Sequence, residues 1–407
     1  MISKGDTAWI LISTALVLLM TPGLALFYGG MVRRKNVLSV LMHSFTAIAI
    51  VSIQWMLFGY SLAYGPDVKG IIGNLDWALL RNVGLLPNPA YAAGVPHLAF
   101  MIYQAMFAVI TPALISGAFA ERMKFSAYVL FVLLWSTLVY DPVAHWIWGA
   151  GGWMKQLGVL DFAGGLVVHA TSGFSALAAA LFIGKRKGMS KEPMPPHNLP
   201  MTVIGAGLLW FGWFGFNAGS ALTSGQLSTL AFVTSHAAAV SATATWITIE
   251  WLHRGKPTVF GAVTGSIAGL ATITPAAGFV SPDAALVIGV LAGCMCYAAL
   301  NFKSKLGYDD SLDAFGVHGI GGVTGTLCVG LFATLALNPA GANGLFLGNA
   351  RQLYIQLGAV ALIAAYSFIA SLVILKIVDA ITGLRVSEDH EDNGLDISLH
   401  GEEGYYF

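Results

Sequence analysis

Two stretches decide the fold of this chain: DFAGGLVVHATSG, residues 161–173, and DSLDAFGVHGIGG, residues 310–322. In each, a histidine (His169 or His318) follows an aspartate (Asp161 or Asp310) by eight residues, inside an otherwise apolar segment. An imidazole in the hydrocarbon core of a membrane is costly unless it faces a cavity or a partner. The repeated context predicts a polar site shared by two related halves of the chain. The alternative is a pair of hydrogen-bonded histidines that only pack in the core.

The composition is that of a membrane protein. Of 407 residues, 57% are hydrophobic and only 10% are charged, against roughly 25% charged in a typical soluble domain. Apolar runs such as residues 8–30 are long enough to cross a hydrocarbon core about 30 Å thick. The 48 glycines suit helices that pack backbone to backbone. The first apolar run lacks the basic region and cleavage site of a signal peptide, so we expect a retained helix.

No pattern in the sequence indicates an enzyme. Cys294, Cys296 and Cys328 all fall in apolar segments and form neither a disulfide framework nor a metal-ligand spacing with the histidines. The H-E-x-x-H and nucleophile-elbow motifs are missing, which argues against an intramembrane enzyme. We therefore expect no catalytic residues, no cofactor, no metal and no nucleic-acid partner, in a protein surrounded by lipid.

Eleven apolar segments separated by polar breaks predict an all-α integral membrane protein with eleven transmembrane helices. If the segments cross in alternation, the loops on one side carry 15 of the 20 Lys and Arg residues, against 5 on the other. The positive-inside rule then places the N-terminus outside the cytoplasmic (inner) membrane and the C-terminal tail in the cytoplasm. The segments lie near residues 7–31, 42–64, 97–120, 125–142, 162–184, 199–219, 226–252, 258–275, 283–303, 312–337 and 352–380.

Short similar motifs in the two halves of the chain, which we call echoes, indicate an internal duplication. FYGGM at 27–31 resembles FNAGS at 216–220, and AVITPA at 108–113 resembles ATITPA at 271–276, in the same order as the Asp/His pairs. Five helices would then match the next five, and an odd-numbered unit repeats upside down in the membrane, with a substrate site near the midplane. We expect a transmembrane domain over 1–380, with repeats at 1–184 and 199–337 and a last helix at 352–380, followed by a cytoplasmic tail at 381–407.

Four residues of the sixth segment follow helical spacing and should lie on one face of the helix: Leu209, Trp213, Phe216 and Ser220. Such a stripe is commonly just a packing face. Tyr103 and Phe107 share a face of the third segment in the same way, and Trp148 would lie at the same outer level. Aromatic faces beside a hydroxyl suit a small cation, at about 0.5–2 kcal/mol per ring. For Trp148 alone, the alternative is an anchor at the membrane interface.

Taken together, these motifs resemble those of prokaryotic ammonium transporters, in the Amt/Mep branch of the Amt/Mep/Rh family. The resemblance covers essentially the whole chain and rests on MTPGLALFYGGMVRRKN, ITPALISGAFAER, DFAGGLVVH, WFGFNAGS, DDSLDAFGVHG and GLDISLHGEEGY. It implies a homotrimer with one pore per subunit. The pairing of Trp148 with Ser220 favours the Amt/Mep branch over the Rhesus-like branch.

The resemblance also implies roles for individual residues. Phe107, Trp148 and Ser220 match an outer site that recruits ammonium, Phe107 and Phe216 match a gate, and His169 and His318 match the twin pore histidines. Tyr103 stands where phenylalanine is usual at the vestibule rim, and Ala314 where a larger side chain can line the pore. The other supporting or pore-lining residues that we predict are Leu24, Phe27, Tyr28, Tyr103, Asp161, Leu209, Trp213 and Asp310.

A solvation argument leads to the expected mechanism. Ammonium resembles potassium in size and charge, but a bare cation crosses the bilayer centre only at high cost. Ammonium can shed a proton when it is desolvated, as a lysine does. Ammonia could then cross an apolar lumen while the histidines, whose ring nitrogens accept and donate, relay the proton. We expect Asp161 to act through its negative field and as a cap for backbone N–H groups; a purely structural N-cap is the alternative.

Two other functions stay open at this point. A neutral-gas channel of the Rhesus type would share the fold but need Trp148 and Ser220 less. An ammonium sensor would be expected to carry a soluble signalling domain, and only about 27 residues follow the last predicted helix.

The tail at 381–407 combines seven acidic residues with one basic residue, Arg385, and with aromatic positions such as Tyr405. It could be an inert, solubilising terminus. Its apolar positions and the basic loops of the same face instead predict docking, and the resemblance implies a P-II signalling protein as a regulatory partner there.

Overall fold

A computed structural model describes residues 1–189 and 191–406, with the side chain of Ser304 left undescribed. Over these residues, ten helices are long and apolar enough to cross a membrane, and Val259–Ile273 is a shorter apolar helix. We number them α1 Lys4–Met31, α2 Arg34–Tyr64, α3 His97–Phe119, α4 125–148, α5 Gly165–Ile183, α6 Leu199–Gly219, α7 Gln226–Arg254, α8 Val259–Ile273, α9 Pro282–Leu306, α10 Phe315–Phe332 and α11 Ala350–Thr382. Each of the eleven predicted segments thus coincides with a helix.

The largest error in the predicted boundaries concerns α4, which we expected to end near residue 142. The regular helix passes a π-helical turn, Ser136–Tyr140, and continues as Asp141–Trp148. Pro142 does not end the helix, because a proline is tolerated in the first turn of a helical segment. The Asp141 carboxylate is buried and accepts a hydrogen bond of 2.7 Å from Gln54 Nε2 in α2. Trp148 therefore ends a helix instead of lying in a loop.

The helix α8 is only 15 residues long, which corresponds to about 22 Å at 1.5 Å per residue. The chain continues beyond it as irregular backbone, residues 274–280, and every residue of that stretch is buried. Non-helical backbone at membrane depth is stable only where protein covers it. The buried stretch begins with Thr274 and Pro275, the same residues that end the predicted echo ATITPA.

The structure also contains a small element of β structure that the all-α prediction missed. Strands β1 Asp67–Val68 and β2 Ile72–Gly73 pair antiparallel in the connection between α2 and α3. A tight turn with Gly70 at φ 75° joins them. Strands of two residues give almost no periodicity for a sequence pattern to reveal.

Helices α1 and α6 pack along most of their length in opposite directions, and we call this contact the α1–α6 seam. A Cβ atom on Gly30 would lie 2.3 Å from Thr202 Oγ1, and one on Gly205 would lie 2.2 Å from the Phe27 nitrogen. No side chain fits at either position. Small residues allow such close approach between membrane helices, where dispersion contacts replace the hydrophobic effect.

The molecule has two distinct ends. Lys124, before α4, donates its backbone N–H to Leu384 in the tail at 2.8 Å, whereas α4 finishes at Trp148 on the opposite side. We call the side with Phe107, Trp148 and Ser220 the aromatic end and the side with residues 381–406 the tail end. At the tail end a short helix, Glu388–Asn393, and a π-helical turn, Asp396–His400, lie against the loops between the membrane helices.

Candidate functional site: an aromatic cavity and a histidine-lined pore

A cavity of about 530 Å³ opens at the aromatic end and is lined by Phe107, Trp148, Asp161 and Ser220, among others. We call it the wide cavity. The rings of Phe107 and Trp148 meet edge to face, with centroids 5.9 Å apart. The indole N–H of Trp148 donates to the Asp161 carbonyl oxygen at 2.9 Å, which fixes the ring plane. The structure therefore brings together the three residues, Phe107, Trp148 and Ser220, that the resemblance assigned to one site.

Tyr103 lies behind this site and not at its rim. Its side chain is fully buried, and its hydroxyl donates to the carbonyl oxygens of Gly215 and Phe216, at 2.9 and 3.0 Å. The same hydroxyl is 3.3 Å from Ser220 Oγ. The expectation of a rim residue was wrong for Tyr103, because α3 turns it towards the end of α6, where it supports Phe216 and Ser220.

Phe107 and Phe216 form a closed pair below the wide cavity. Their ring centroids are 4.3 Å apart, the ring planes differ by 34°, and each residue is only 1% exposed. Phe107 lines the wide cavity above the pair, and Phe216 lines a smaller cavity below it. Anything passing from one to the other must displace these rings.

Two small cavities, each of about 10 Å³, follow beyond the phenylalanine pair. A volume near 10–15 Å³ is about the space that one water molecule needs. We call the first the upper cavity, lined by Leu24, His169, Leu209 and Trp213, and the second the lower cavity, lined by Tyr28 and Ala314. Phe27 and His318 line both. The predicted stripe of α6 therefore faces the pore.

The two histidines lie side by side at the junction of these cavities. Their rings are nearly parallel, at 14°, and the two Nδ1 atoms are 3.3 Å apart. Each sits in a π-helical turn, Gly165–Ala170 or Phe315–Gly319, at the start of its helix. A hydrogen bond between two Nδ1 atoms requires one to donate and the other to accept. The two neutral rings then have opposite tautomers, so one Nε2 can accept a hydrogen bond and the other can donate one.

The carboxylates of the two aspartates in the repeated motif accept hydrogen bonds from backbone N–H groups. Asp161 accepts four N–H groups, from Gly164, Gly165, Leu166 and Val167, at 2.7–3.0 Å. Asp310 accepts two, from Ala314 and Phe315, at 3.1 and 2.8 Å. Both fix the start of a helix that carries a pore histidine, as a cap does. Asp161 also lines the wide cavity, whereas Asp310 lines none of the three cavities, so its role is supporting only.

Sequence reasoning missed most of the apolar pore wall. Apolar residues occur in membrane helices whether they face lipid, a neighbouring helix or a cavity. The sequence pattern therefore did not distinguish the cavity-lining positions from the others. The duplication offered the one usable clue, since α8 follows α3 in the proposed repeat and both line the pore. The missed residues of the two small cavities are Met20, Met31, Ile110, Leu114, Val168, Phe260, Thr264, Ile267, Leu312, Asp313 and Val317.

A buried ion-pair network closes the tail end, and we call it the Glu121 network. The fully buried carboxylate of Glu121 pairs with Arg33 at 3.0 Å and with Arg186 at 3.1 Å, and Arg186 pairs with Asp309 at 2.9 Å. Burial acts to raise the pKa of both carboxyl groups, but the neighbouring arginines outweigh it and hold each pKa below its ordinary value. Burial lowers the pKa of the adjacent Arg122 guanidinium to about 10.

The tail is attached to the same loops by polar contacts. Asp392 pairs with Lys187 at 2.7 Å, and Arg385 pairs with Glu391 at 2.6 Å. Asp396 accepts the backbone N–H groups of Leu38 and Ser39, at 3.0 and 2.8 Å, at the start of α2. The acidic tail therefore docks on the basic loops and caps a membrane helix.

Comparison with known proteins agrees with this geometry. A family model described as the Ammonium Transporter Family matches residues 8–405. An ammonium transporter of Bacillus subtilis is 54% identical over 402 residues, covering 98% of each chain. Ammonium transporter Amt1 of Archaeoglobus fulgidus is 50% identical, covering 99% of this chain and 100% of its own.

Solved structures show the same architecture. The crystal structure of Saccharomyces cerevisiae Mep2 superimposes with a TM-score of 0.90 at 38% identity, covering 95% of this chain and 88% of that one. A structure described as a sensor Amt protein has a TM-score of 0.88 at 29% identity, covering 97% and 98%.

Proposed function

Because the chain belongs to the ammonium transporter family, whose members are transporters and not enzymes, we propose that it moves ammonium or ammonia across the cytoplasmic membrane through the wide, upper and lower cavities. The observation that carries this proposal is the stacked pair His169 and His318, set between two water-sized cavities, of which the upper one is otherwise lined by apolar and aromatic side chains. Only a small molecule that can exchange hydrogen bonds with imidazole gains from such a lining.

Recruitment begins in the wide cavity. The faces of Phe107 and Trp148 attract a small cation by about 0.5–2 kcal/mol each, and Ser220 Oγ can accept a hydrogen bond from it. The Asp161 carboxylate is occupied by four backbone N–H groups, so it contributes a negative field and no direct bond. This favours a loosely bound cation that can leave again.

Passage of the gate separates ammonium from potassium. Phe107 and Phe216 must move aside, and the upper cavity beyond them is lined by Leu24, Leu209 and other apolar side chains. A desolvated cation is unfavourable there. Ammonium can release a proton and continue as ammonia, whereas potassium has no such option.

The histidine pair then serves the neutral molecule. With one Nε2 accepting and one donating, the pair can hold ammonia by two hydrogen bonds in either orientation. The hydrogen bond between the two Nδ1 atoms, 3.3 Å apart, supplies the step by which a proton could pass from ring to ring. We propose that proton and ammonia cross together, with net movement of charge.

Orientation and assembly follow from the same family membership. We propose that the aromatic end faces outwards and that the tail end, with its excess of Lys and Arg, faces the cytoplasm. The antiparallel contact of α1 with α6 supports two inverted five-helix repeats, followed by α11, with α8 as a membrane-spanning member of the second repeat. We propose a homotrimer with a pore in each subunit, tested by its native mass in detergent.

A partner is proposed at the tail end. The docked tail, residues 381–406, and the basic loops around Lys187 offer a charged surface on which a P-II signalling protein could rest and block the pores. Co-purification with a P-II protein, with and without the last 20 or so residues, tests this. Identical partner-free behaviour of both forms would reduce the tail to an inert terminus.

The experiment that tests the transport proposal uses proteoliposomes with simultaneous readout of current and of internal pH. Ammonium should produce an inward current that potassium does not, and His169→Ala should alter it. Uptake of ammonia without current would favour a neutral-gas channel of the Rhesus type. No uptake by protein of intact fold would contradict the proposal.

The likeness to a structure described as a sensor Amt protein supports one further candidate, an ammonium sensor. A sensor would bind ammonium at the wide cavity without conducting it. Saturable binding in detergent together with an absence of flux in the same proteoliposomes would favour that function over transport.

A further inference from the structure

His145 lies one helical turn before Trp148 and outside the three cavities, yet it is fully buried. Its Nδ1 is 3.0 Å from the carbonyl oxygen of Ala63, near the end of α2. Its Nε2 is 2.8 Å from Asp67 Oδ1, on strand β1. The same Oδ1 accepts the backbone N–H of Gly70 at 2.8 Å. One imidazole thus joins α4, α2 and the β1–β2 hairpin.

The residues after Trp148 pack closely against the His145–Asp67 contact. A Cβ on Gly151 would lie 2.3 Å from the Asp67 side chain, and one on Gly152 would lie 2.1 Å from the carbonyl oxygen of His145. Trp153 donates its backbone N–H to Gly70 at 3.2 Å. The turn that ends α4 therefore rests directly on the His145–Asp67 pair.

Trp148 is the last helical residue before that turn, and the next N–H, of Gly149, bonds to the His145 carbonyl at 3.0 Å. A movement of His145 is passed to Trp148 through a single helical turn. We propose that the His145–Asp67 pair is a proton-requiring clamp that positions Trp148 over the wide cavity and so sets the affinity for the recruited cation. This inference rests on the proposed function of the wide cavity.

The requirement for a proton follows from the hydrogen-bond partners. A carbonyl oxygen can only accept, and Asp67 Oδ1 already accepts from Gly70, so both ring nitrogens of His145 face acceptors. A neutral imidazole has one N–H and an imidazolium has two. A neutral imidazole can make both contacts only if Asp67 holds the proton, and beside an ionised Asp67 both are satisfied only by the imidazolium.

The surroundings supply few other charges. Lys69 lies in the hairpin turn, Tyr64 and Tyr91 come from α2 and from the α2–α3 connection, and the Lys155 ammonium donates to the Trp148 carbonyl oxygen at 3.2 Å. Tyr64 donates to Gln104 at 2.8 Å and Tyr91 to the Tyr64 carbonyl at 2.6 Å. Asp67 is the partially exposed member of the pair, with 31% of its side chain accessible, so the proton can exchange with solvent.

Asp67→Asn tests the clamp with little risk to folding, because an amide oxygen still accepts from Gly70 and His145 while the negative charge is gone. In proteoliposomes at neutral pH, the half-saturating ammonium concentration should rise about two- to tenfold, as expected when one charge-assisted bond is weakened. The maximal rate should stay close to that of the parent. Asp76→Asn, an exposed outer-loop carboxylate that bonds only to Asn74, is the matched control and should leave both values unchanged.

The pH profile separates the clamp from a merely structural contact. In the parent, the half-saturating concentration of the ammonium cation should rise as the pH increases past the point at which the pair loses its proton. In Asp67→Asn the profile should differ from that of the parent, because the negative charge in contact with the His145 ring is gone. Identical affinities and pH profiles in Asp67→Asn and Asp76→Asn would overturn the proposal.

A spectroscopic readout keeps the test independent of transport. Nitrogen-15 histidine spectra of the purified parent at neutral pH should contain one imidazolium that is absent from His145→Gln, and Asp67→Asn should lose its two N–H signals. A neutral His145 in the parent contradicts the clamp. If Trp148→Leu changes the affinity and Asp67→Asn does not, the clamp is wrong and the recruitment site stands; if the parent does not conduct ammonium, the proposed function itself fails.

Discussion

The pore and the tail end of this protein both bury polar side chains, but the pore keeps them neutral and the tail end keeps them charged. The upper cavity is lined by apolar and aromatic side chains and by two imidazoles whose Nδ1 atoms bond to each other. At the tail end, the carboxylates of Glu121 and Asp309 are just as buried, but the partly buried Arg33 and Arg186 hold them in charged pairs. A buried charge is stable only with a partner in place, so fixed charges suit a closed structural seal and not a path that must stay free for a moving substrate.

The largest effect is expected from putting a charge into the pore. His169→Asp replaces a ring that can donate and accept by a carboxylate that can only accept when ionised. The lumen should then admit water and cations, and potassium should be conducted alongside ammonium. Potassium current in proteoliposomes measures this, with His236→Asp on the exposed side of α7 as a control for a charge outside the pore. Equal potassium exclusion by parent and variant would contradict the relay.

Removing a charge from the tail end should damage stability and not selectivity. Glu121→Gln leaves Arg33 without its carboxylate and Arg186 with only Asp309, and breaking a buried pair costs about 3–5 kcal/mol. The thermal unfolding midpoint of the detergent-solubilised protein should fall by several degrees. Glu388→Gln, which removes an exposed carboxylate facing Lys187, should change it far less. A similar midpoint in both variants would show that the Glu121 network is not a stabilising seal.

Acid should act on the same network. The pKa values of Glu121 and Asp309 lie below their ordinary values of 4.5 and 3.8. A group with a lowered pKa stabilises the fold above its ordinary pKa and loses that contribution as the pH falls through its folded value. The unfolding midpoint should therefore be steady near neutral pH and drop below about pH 4.5, and Glu121→Gln should flatten the upper part of that drop.

A smaller change is expected at the aromatic end. Trp148→Leu combined with Ser220→Ala removes two contacts of about 0.5–2 kcal/mol each to the recruited cation, so the apparent affinity should weaken without loss of transport. Saturation curves in proteoliposomes measure the effect, and Trp9→Leu offers an indole change away from the cavity. Unchanged curves for the double variant would remove Trp148 and Ser220 from the recruitment site.

The smallest effect should come from the exposed contact of the tail. The Lys187 ammonium lowers the pKa of Asp392, so this contact is present at neutral pH and is lost as the pH falls through that lowered value. Asp392→Asn should leave the unfolding midpoint unchanged, because exposed ion pairs contribute little. Limited proteolysis should cut the tail of the variant faster, with the difference shrinking at high salt. Equal cleavage rates would show that Lys187 does not hold the tail.

The sequence predicted cavity-lining residues best where a side chain is unusual in an apolar segment or where helical spacing places several residues on one face. The histidine pair was identified because imidazoles are rare in apolar segments, and Leu209, Trp213 and Phe216 because their spacing places them on one face. Tyr103 shows the limit, because it shares a helix face with Phe107 but its hydroxyl bonds to the backbone of α6. The Glu121 network joins four residues from separate loops, and a pattern within one segment could not reveal it.

The close packing at the α1–α6 seam bears on the timescale of the motions that transport would need. Where Gly30 meets Thr202 and Gly205 meets Phe27, the two helices are in close contact, so a sliding or rocking movement of one half of the chain against the other would have to break this packing. In the proposed gate the moving parts are side chains, the phenyl rings of Phe107 and Phe216, whose rotations belong to nanoseconds and not to the microseconds to milliseconds of rigid-body rearrangements. If this proposed gate limits transport, the rate is set by how often a substrate meets an open ring pair and should depend only shallowly on temperature and membrane stiffness.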